Sequence, residues 1–194
     1  WMTETTGAQW NNDVWHTYGW FEEATEFDKA ILAAQYIHMT FAQSQANAFL
    51  WWGLLYSIAP DRVTATKTRQ KHRDEGLVLV EEKRGANGDQ RFLEKTKKFY
   101  FFKQYANYIW KGSKRIELKS PDPLEVTAYQ TYDTNRIIVV ALNPSNSSQK
   151  IELSIPKAMK FRRAFQTDRK LNCEPVRPTP LLPPKSIRTY IYSR

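Results

Sequence analysis

Glu4 stands near the end of a short run of strand formers, Trp1-Met2-Thr3-Glu4-Thr5, which stops at Thr6-Gly7. Around it are Thr3, Thr5 and Thr6, and then a polar loop carrying Trp10, Trp15, His16 and Trp20. A second apolar run, 48–56, contains Trp51, Trp52 and Tyr56. A carboxylate beside aromatic rings suits sugar chemistry. Pyranose C–H faces stack on rings, while their hydroxyls need polar partners. Trp51 and Trp52 are successive strand residues and face opposite sides, so only one of them can line a sugar site; Tyr56 shares the face of Trp52 if the strand is regular. By composition alone, a structurally paired strand-end glutamate and tryptophans packed as core would be the simpler account.

Other chemistry is sparse. His16, His38 and His72 are too scattered for a metal site, which leaves His16 as a candidate substrate contact from the aromatic loop. Glu22, Glu23 and Glu26 lead into a helix, where an acid compensates the dipole. Cys173 is the single cysteine, so no intrachain disulfide forms; with no histidine near it in sequence it reads as an inert residue between short strands. Asn146-Ser147-Ser148 fits the N-glycosylation acceptor pattern in a hairpin turn, which matters only in a eukaryotic secretory pathway.

The elements that must position these residues follow from periodicity. Phe27, Ile31, Ala34, Ile37 and Phe41 keep helical spacing over 28–44, with Asp28 near the start. The run 48–56 reads as one buried parallel strand, so strand, loop, helix and strand form a βαβ unit. Residues 57–76 are polar, and the charge run Lys71-His72-Arg73-Asp74-Glu75 reads as a solvated face. Residues 77–82 and 90–93 flank Gly85-Ala86-Asn87-Gly88 as a hairpin. A second helix is expected over 94–110, ending at Lys111-Gly112. From there the period is two, with strands expected over 115–119, 124–131, 136–142, 150–155, 160–167 and 186–192, an antiparallel β-sandwich. Thr179-Pro180-Leu181-Leu182-Pro183-Pro184 reads as a connector into the last strand.

Composition bounds the rest. The 194 residues include 7 Trp, 10 Tyr and 10 Phe, too many rings for a disordered chain, and no apolar run reaches the ~20 residues of a membrane span. Residues 1–56 hold one basic residue against six acids, whereas 57–194 hold 28 basic against 14 acidic. The cations are interleaved with acids and no nucleic-acid motif is present, so nucleic acid is not an expected partner. The sequence opens on Trp1, without a basic n-region or apolar h-region, so no signal peptide is legible. Enzymes on the (β/α)8 barrel place catalysis at the C-terminal ends of strands, and a barrel needs eight units and about 250 residues. Two units are therefore expected to be part of something larger.

Trp1-Met2-Thr3-Glu4 resembles the strand-seven nucleophile motif, Trp-x-Thr/Ser-Glu, of glycoside hydrolase family 30. Phe49-Leu50-Trp51-Trp52 sits where that family has its aromatic eighth strand, and 76–80 followed by 97–116 looks like the family's last barrel helix and its exit into a side β domain. The resemblance implies an α/β plus all-β fold, with strands 7 and 8 of a truncated (β/α)8 barrel over 1–112 and a β-sandwich side domain over 113–194. It implies a retaining mechanism in which Glu4 is the nucleophile and a second carboxyl group, about 5–5.5 Å away, is acid and then base. That second group belongs to the fourth barrel strand, upstream of Trp1, so the missing N-terminal part of the barrel is itself an expected partner. Thr3, His16, Trp51, Trp52 and Tyr56 are the expected substrate contacts, with no cofactor and no metal. Relatives that recognise glucuronic acid branches carry a basic residue after the aromatic strand, and Gly53-Leu54-Leu55-Tyr56-Ser57 has none. A neutral β-linked glycan or a glucosylceramide-like lipid is the implied substrate, and secretion is expected from the family. The competing reading is a noncatalytic carbohydrate-binding or structural β module that retains barrel remnants.

Overall fold

A computed structural model describes residues 2–5, 25–57, 75–83, 90–118 and 122–194. The chain splits into two compact units, one formed by 1–33 with 46–99 and the other by 34–45 with 100–194.

In the first unit, strand β1 (Met2–Thr5) leads across to helix α1 (Glu26–Ala42) and on to strand β2 (Phe49–Trp51), which pairs with β1 in parallel. This is the expected βαβ unit. The helix starts at Thr25, whose hydroxyl accepts the Asp28 amide at 3.2 Å, capping one free amide of the first turn, and donates to the Asp28 carboxylate. Glu26, in that same turn, receives the ammonium of Lys98 at 2.9 Å. The Lys98 side chain is fully buried, so that ion pair is what makes its burial tolerable. Phe27, Ala30, Ile31 and Ala33 turn inward, as the 3.6-residue period requires.

The expected single strand over 48–56 is instead two, β2 and β3 (Leu55–Ser57), broken at Gly53 with φ 84°. A β-strand cannot pass through that backbone conformation. Nor is the run buried: Leu50, Trp52, Leu54 and Leu55 are all exposed. Strand β3 pairs in parallel with β4 (Val78–Lys83), which forms the expected hairpin with β5 (Gln90–Lys95).

The second helix, α2 (Lys97–Ala106), is shorter than the sequence pattern indicates. Thr96 caps it, accepting the Phe99 amide at 3.4 Å while donating to the Leu77 carbonyl at 2.9 Å. The chain leaves through a tighter turn in which the Tyr108 amide bonds the Tyr105 carbonyl, and it reverses at Gly112, φ 84°.

In the second unit a six-stranded antiparallel sheet runs in the order β11-β10-β13-β8-β7-β6, with β6 Lys114–Ile116, β7 Glu125–Gln130, β8 Arg136–Asn143, β10 Lys160–Thr167, β11 Asn172–Val176 and β13 Ser186–Ser193. The short ladder of β9 (Gln149–Lys150) with β12 (Leu181–Leu182) contributes to the opposing layer, and between them lies a core that includes Val126, Val139, Ala141, Ile151, Leu182 and Tyr190. The expected strand over 150–155 reduces to its first residue. Beyond the Ile151 amide, which bonds the Pro180 carbonyl at 2.8 Å, the facing segment contains Pro180, Pro183 and Pro184, which have no amide hydrogen to give. Strand β11 was not expected, since it contains Pro175; an edge strand tolerates the proline. Cys173 therefore lies within a strand, at φ 59°, beside the irregularity where β10 and β11 shift register.

Buried polar groups fasten this unit. The Gln104 side chain on α2 is fully buried; its amide donates to the Thr167 hydroxyl at 2.9 Å, and its carbonyl accepts the Thr189 hydroxyl at 2.6 Å. Thr167 also accepts the Cys173 amide at 3.0 Å. Arg188, 3 % exposed, donates twice to the Gln166 carbonyl oxygen, at 2.6 and 2.9 Å, and again to the Thr179 and Leu181 carbonyls, so the proline-rich connector is docked rather than free. Asn143, also fully buried, donates to the Ser147 and Pro183 carbonyls at 2.8 Å and accepts the Ser145 amide, which fixes the turn that follows β8.

Gln104→Leu should destabilise the protein by about 1–2 kcal/mol, because the Thr167 and Thr189 hydroxyls each lose a side-chain partner and keep only backbone ones, the Tyr100 and Gln104 carbonyls among them. Adding Thr167→Val should cost less than the sum of the single changes, as urea unfolding of the four-member cycle can measure.

His38 gives a pH prediction. Burial, with the Arg115 cation nearby, pushes its imidazole from 6.5 down to about 4. The unfolded chain takes the proton first, so stability should fall as pH drops from 6.5 toward 4, by about 3 kcal/mol in all. Glu125, buried and bonded to Gln35 at 2.7 Å, is shifted upward and works in the opposite sense above 4.5. Comparing wild type with His38→Gln at each pH removes that contribution. An unchanged acid slope in the variant would rule the imidazole out as its source.

Candidate functional site

Strand pairing places the candidate nucleophile and the aromatic strand side by side. Met2 pairs with Phe49 and Thr5 with Trp51, so Thr3 and Glu4 lie between these two register points, on the strand adjacent to Trp51. Three residues advance on β1 against two on β2, a bulge within the stretch that carries Glu4. His16 lies outside the described residues, as do Trp1, Trp10, Trp15 and Trp20.

Trp51 and Tyr56 converge on Glu75, and Trp52 reaches Tyr56. The Trp51 indole donates to the Glu75 backbone carbonyl at 2.9 Å, which holds that ring half-buried and turned toward the start of β4. Trp52 leaves 53 % of its surface exposed. Burial, a hydrogen bond to the Glu75 carboxylate and that group's charge together raise the Tyr56 phenol above its ordinary value, with a hydrogen bond from Trp52 opposing them. Tyr56 and Trp52 are thus neighbours although the strand between them is broken.

Glu75 is the residue that sequence reasoning misplaced. It closes the charge run read as a solvated face, yet it is 4 % exposed. Its position immediately before the apolar stretch Gly76-Leu77-Val78-Leu79 was the available signal, because a charge at a strand entrance is carried inward with the strand. Tyr56 and Trp52 supply a hydroxyl and an exposed ring, groups that a sugar's hydroxyls and C–H faces require, and the buried Glu75 holds the Tyr56 hydroxyl.

The second unit contains a cavity of about 570 Å³ walled by Leu124, Val126, Val139, Ile151 and Leu153. Its walls belong to the sandwich core, and the Lys150–Glu152 ion pair at its margin is fully solvated. Cys173 is buried, and burial pushes its thiol up, opposite to the direction a nucleophile needs. Among the described residues no three His, Cys, Asp or Glu side chains form a metal-holding group, and no helix is long and apolar enough to cross a membrane.

Gly53 controls the aromatic cluster. A Cβ built there would lie 1.9 Å from the Tyr56 ring, on a backbone with φ 84°. Gly53→Ala should therefore displace Tyr56 and destabilise the first unit by about 1–3 kcal/mol, read as a lowered melting temperature with altered tryptophan fluorescence. Unchanged emission and melting would mean that the ring does not lie over Gly53.

Comparison with known proteins agrees with this architecture. Residues 112–190 match the Glycosyl hydrolase family 30 beta sandwich domain. Among solved structures, a conserved exported protein from Bacteroides fragilis is similar at 20 % identity over 97 % of this chain and 38 % of that one, with a TM-score of 0.72. The catalytic domain of GH30 xylanase C from Talaromyces cellulolyticus is similar at 21 % identity over 91 % of this chain and 37 % of its own, with a TM-score of 0.65. A GH30 endoxylanase from Clostridium papyrosolvens C71 aligns over 100 % of this chain and 42 % of its own at 19 % identity, with a TM-score of 0.58. At these identities the likeness is one of fold, and the chain spans about two fifths of the length of each of these proteins. No curated protein sequence matches the chain significantly. The resemblance read from the sequence agrees with the match of residues 112–190 to the family 30 beta sandwich domain.

Proposed function

We propose that this chain is the C-terminal part of a retaining glycoside hydrolase that cleaves β-glycosidic bonds in a neutral polysaccharide or glycolipid. The observation that carries the reading is the family 30 sandwich at 112–190, joined in one chain to a parallel strand pair that bears the Trp-x-Thr-Glu sequence next to Trp51. In this reading Glu4 attacks the anomeric carbon and the glycosidic oxygen leaves with a proton from a second carboxyl group. Water then cleaves the glycosyl ester as that group takes a proton back. The second carboxyl group comes from barrel strands N-terminal to Trp1. Thr3 and His16 contribute polar contacts, Trp52 and Tyr56 form the aromatic wall, and Trp51 braces it through its bond to Glu75. Activity outside the cytoplasm fits the substrate class and the exported Bacteroides fragilis protein of similar fold.

In the whole protein, Glu4→Gln should lower kcat by at least about 10⁴-fold with KM nearly unchanged, because the amide keeps the shape but cannot form the ester. A 2-fluoro glycoside should label the peptide that contains Glu4, as mass spectrometry of a digest would detect. Turnover at the wild-type rate in the variant would refute the assignment. The 194-residue chain alone should hydrolyse nothing, since it has one carboxyl group of the pair.

A further inference from the structure

Two turns of the second unit lie against each other and carry large exposed rings. The first follows α2, where the Ser113 amide bonds the Trp110 carbonyl at 3.0 Å and the chain reverses at Gly112. The second joins β7 to β8, and in it the Thr131 amide bonds the Arg136 carbonyl at 3.1 Å. A Cβ placed on Gly112 would meet the Tyr132 Cβ at 3.3 Å, so the two turns are in contact. Tyr132 is 71 % exposed and Trp110 49 %.

These rings are held, not merely unburied. The Trp110 indole donates to the Asn107 carbonyl at 3.0 Å, and the Arg136 guanidinium lies 5.2 Å from its ring centroid. Asp133 organises the turn, accepting the Thr131 hydroxyl at 2.5 Å and the Asn135 amide at 3.1 Å. Those bonds depress its carboxyl group, so it is ionised at neutral pH. The patch thus offers two apolar ring faces, a carboxylate acceptor and a guanidinium donor within one six-residue turn and its neighbour.

We propose that Trp110 and Tyr132, with Asp133 in the turn and Arg136 at the start of β8, form a binding platform for a neutral polysaccharide chain on the sandwich, separate from the Glu4 site. Stacking uses the C–H faces of successive sugars, and the Asp133–Arg136 pair meets hydroxyls that both donate and accept. Charge decides the class of partner. The patch carries one carboxylate and one guanidinium, so its charges offset each other and give no pull on a polyanion, while a neutral sugar finds both an acceptor and a donor there. The neutrality of the glycan agrees with the function proposed above, and to that extent the choice of ligand rests on it; the platform itself does not require Glu4.

Affinity gel electrophoresis of the 194-residue chain in gels containing β-1,6-glucan, β-1,6-galactan or β-1,4-xylan tests this. At least one glycan should retard the chain. Tyr132→Ala should weaken the retardation about five- to tenfold, Tyr132→Phe should retain it, and both variants should melt as wild type because the ring is on the surface. Retardation lost in Trp52→Ala but kept in Tyr132→Ala would put binding at the aromatic strand and overturn the platform, whereas the hydrolase assignment is read separately from turnover of Glu4→Gln in the whole protein, so the two fail independently. Retardation by none of the glycans, equal retardation of Tyr132→Ala, or a Tyr132-dependent preference for a single-stranded oligonucleotide over every glycan would overturn the proposal.

Discussion

The amide of Gln104 is the group on which the second unit depends. A glutamine side chain with no exposed surface cannot be tolerated unless its donor and acceptor are both met, and here each is met by a different strand. Thr167 and Thr189 occupy β10 and β13, which are neighbours in the six-stranded sheet. One side chain thereby fixes the rotation of α2 about its axis and its height along two strands. Hydrophobic burial alone is non-directional and would allow the helix to slide. Tyr105, on the same helix, is placed accordingly, and Phe41 on α1 packs between it and Tyr129, with ring centroids 6.5 and 6.3 Å away.

The same logic recurs wherever the sandwich lacks backbone pairing. Pro180, Pro183 and Pro184 deny the second layer a full ladder, so its position is set by side chains. Arg188 donates to the Thr179 and Leu181 carbonyls, and Asn143 to those of Leu182 and Pro183, so carbonyls of the connector and β12 receive donors from the main sheet. Among the described residues Arg188 has no carboxylate partner; four neutral oxygens surround it instead. A guanidinium suits that role, since its donors are fixed in a plane and its charge is spread.

What was legible in the sequence was what period and propensity determine locally. The βαβ unit, the hairpin at 78–95 and the long strands β7, β8, β10 and β13 follow from hydrophobic spacing, and each was expected. Three things were not legible, each for a tertiary reason. The break at Gly53 depends on a positive φ that an apolar run does not announce. Strand β11, with a proline in it, exists because β10 offers an edge where a missing amide hydrogen is harmless. Glu75 is buried because Tyr56 and Trp51 come to it from a segment about 20 positions earlier, and no local pattern records that. At the site the types were legible and the partners were not: Trp51 and Trp52 were known to face apart, but which ring stays open was decided by the Glu75 carbonyl.

The two units manage their apolar surface in opposite ways, and this bears on the proposed function. The sandwich buries nearly every aliphatic residue of β7 and β8, whereas in the first unit Leu50, Trp52, Leu54 and Leu55 are each about half exposed around a strand pair with open edges. A parallel pair of three- and four-residue strands with apolar sides is a poor free-standing structure, and natural proteins cover such edges. In a closed barrel, neighbouring strands would cover them, and the solved relatives contain more than twice the length of chain aligned here. Under the proposed function such strands cover Leu50 and Leu54, while Trp52, hydrogen-bonded to Tyr56, keeps the exposed ring that a sugar would meet.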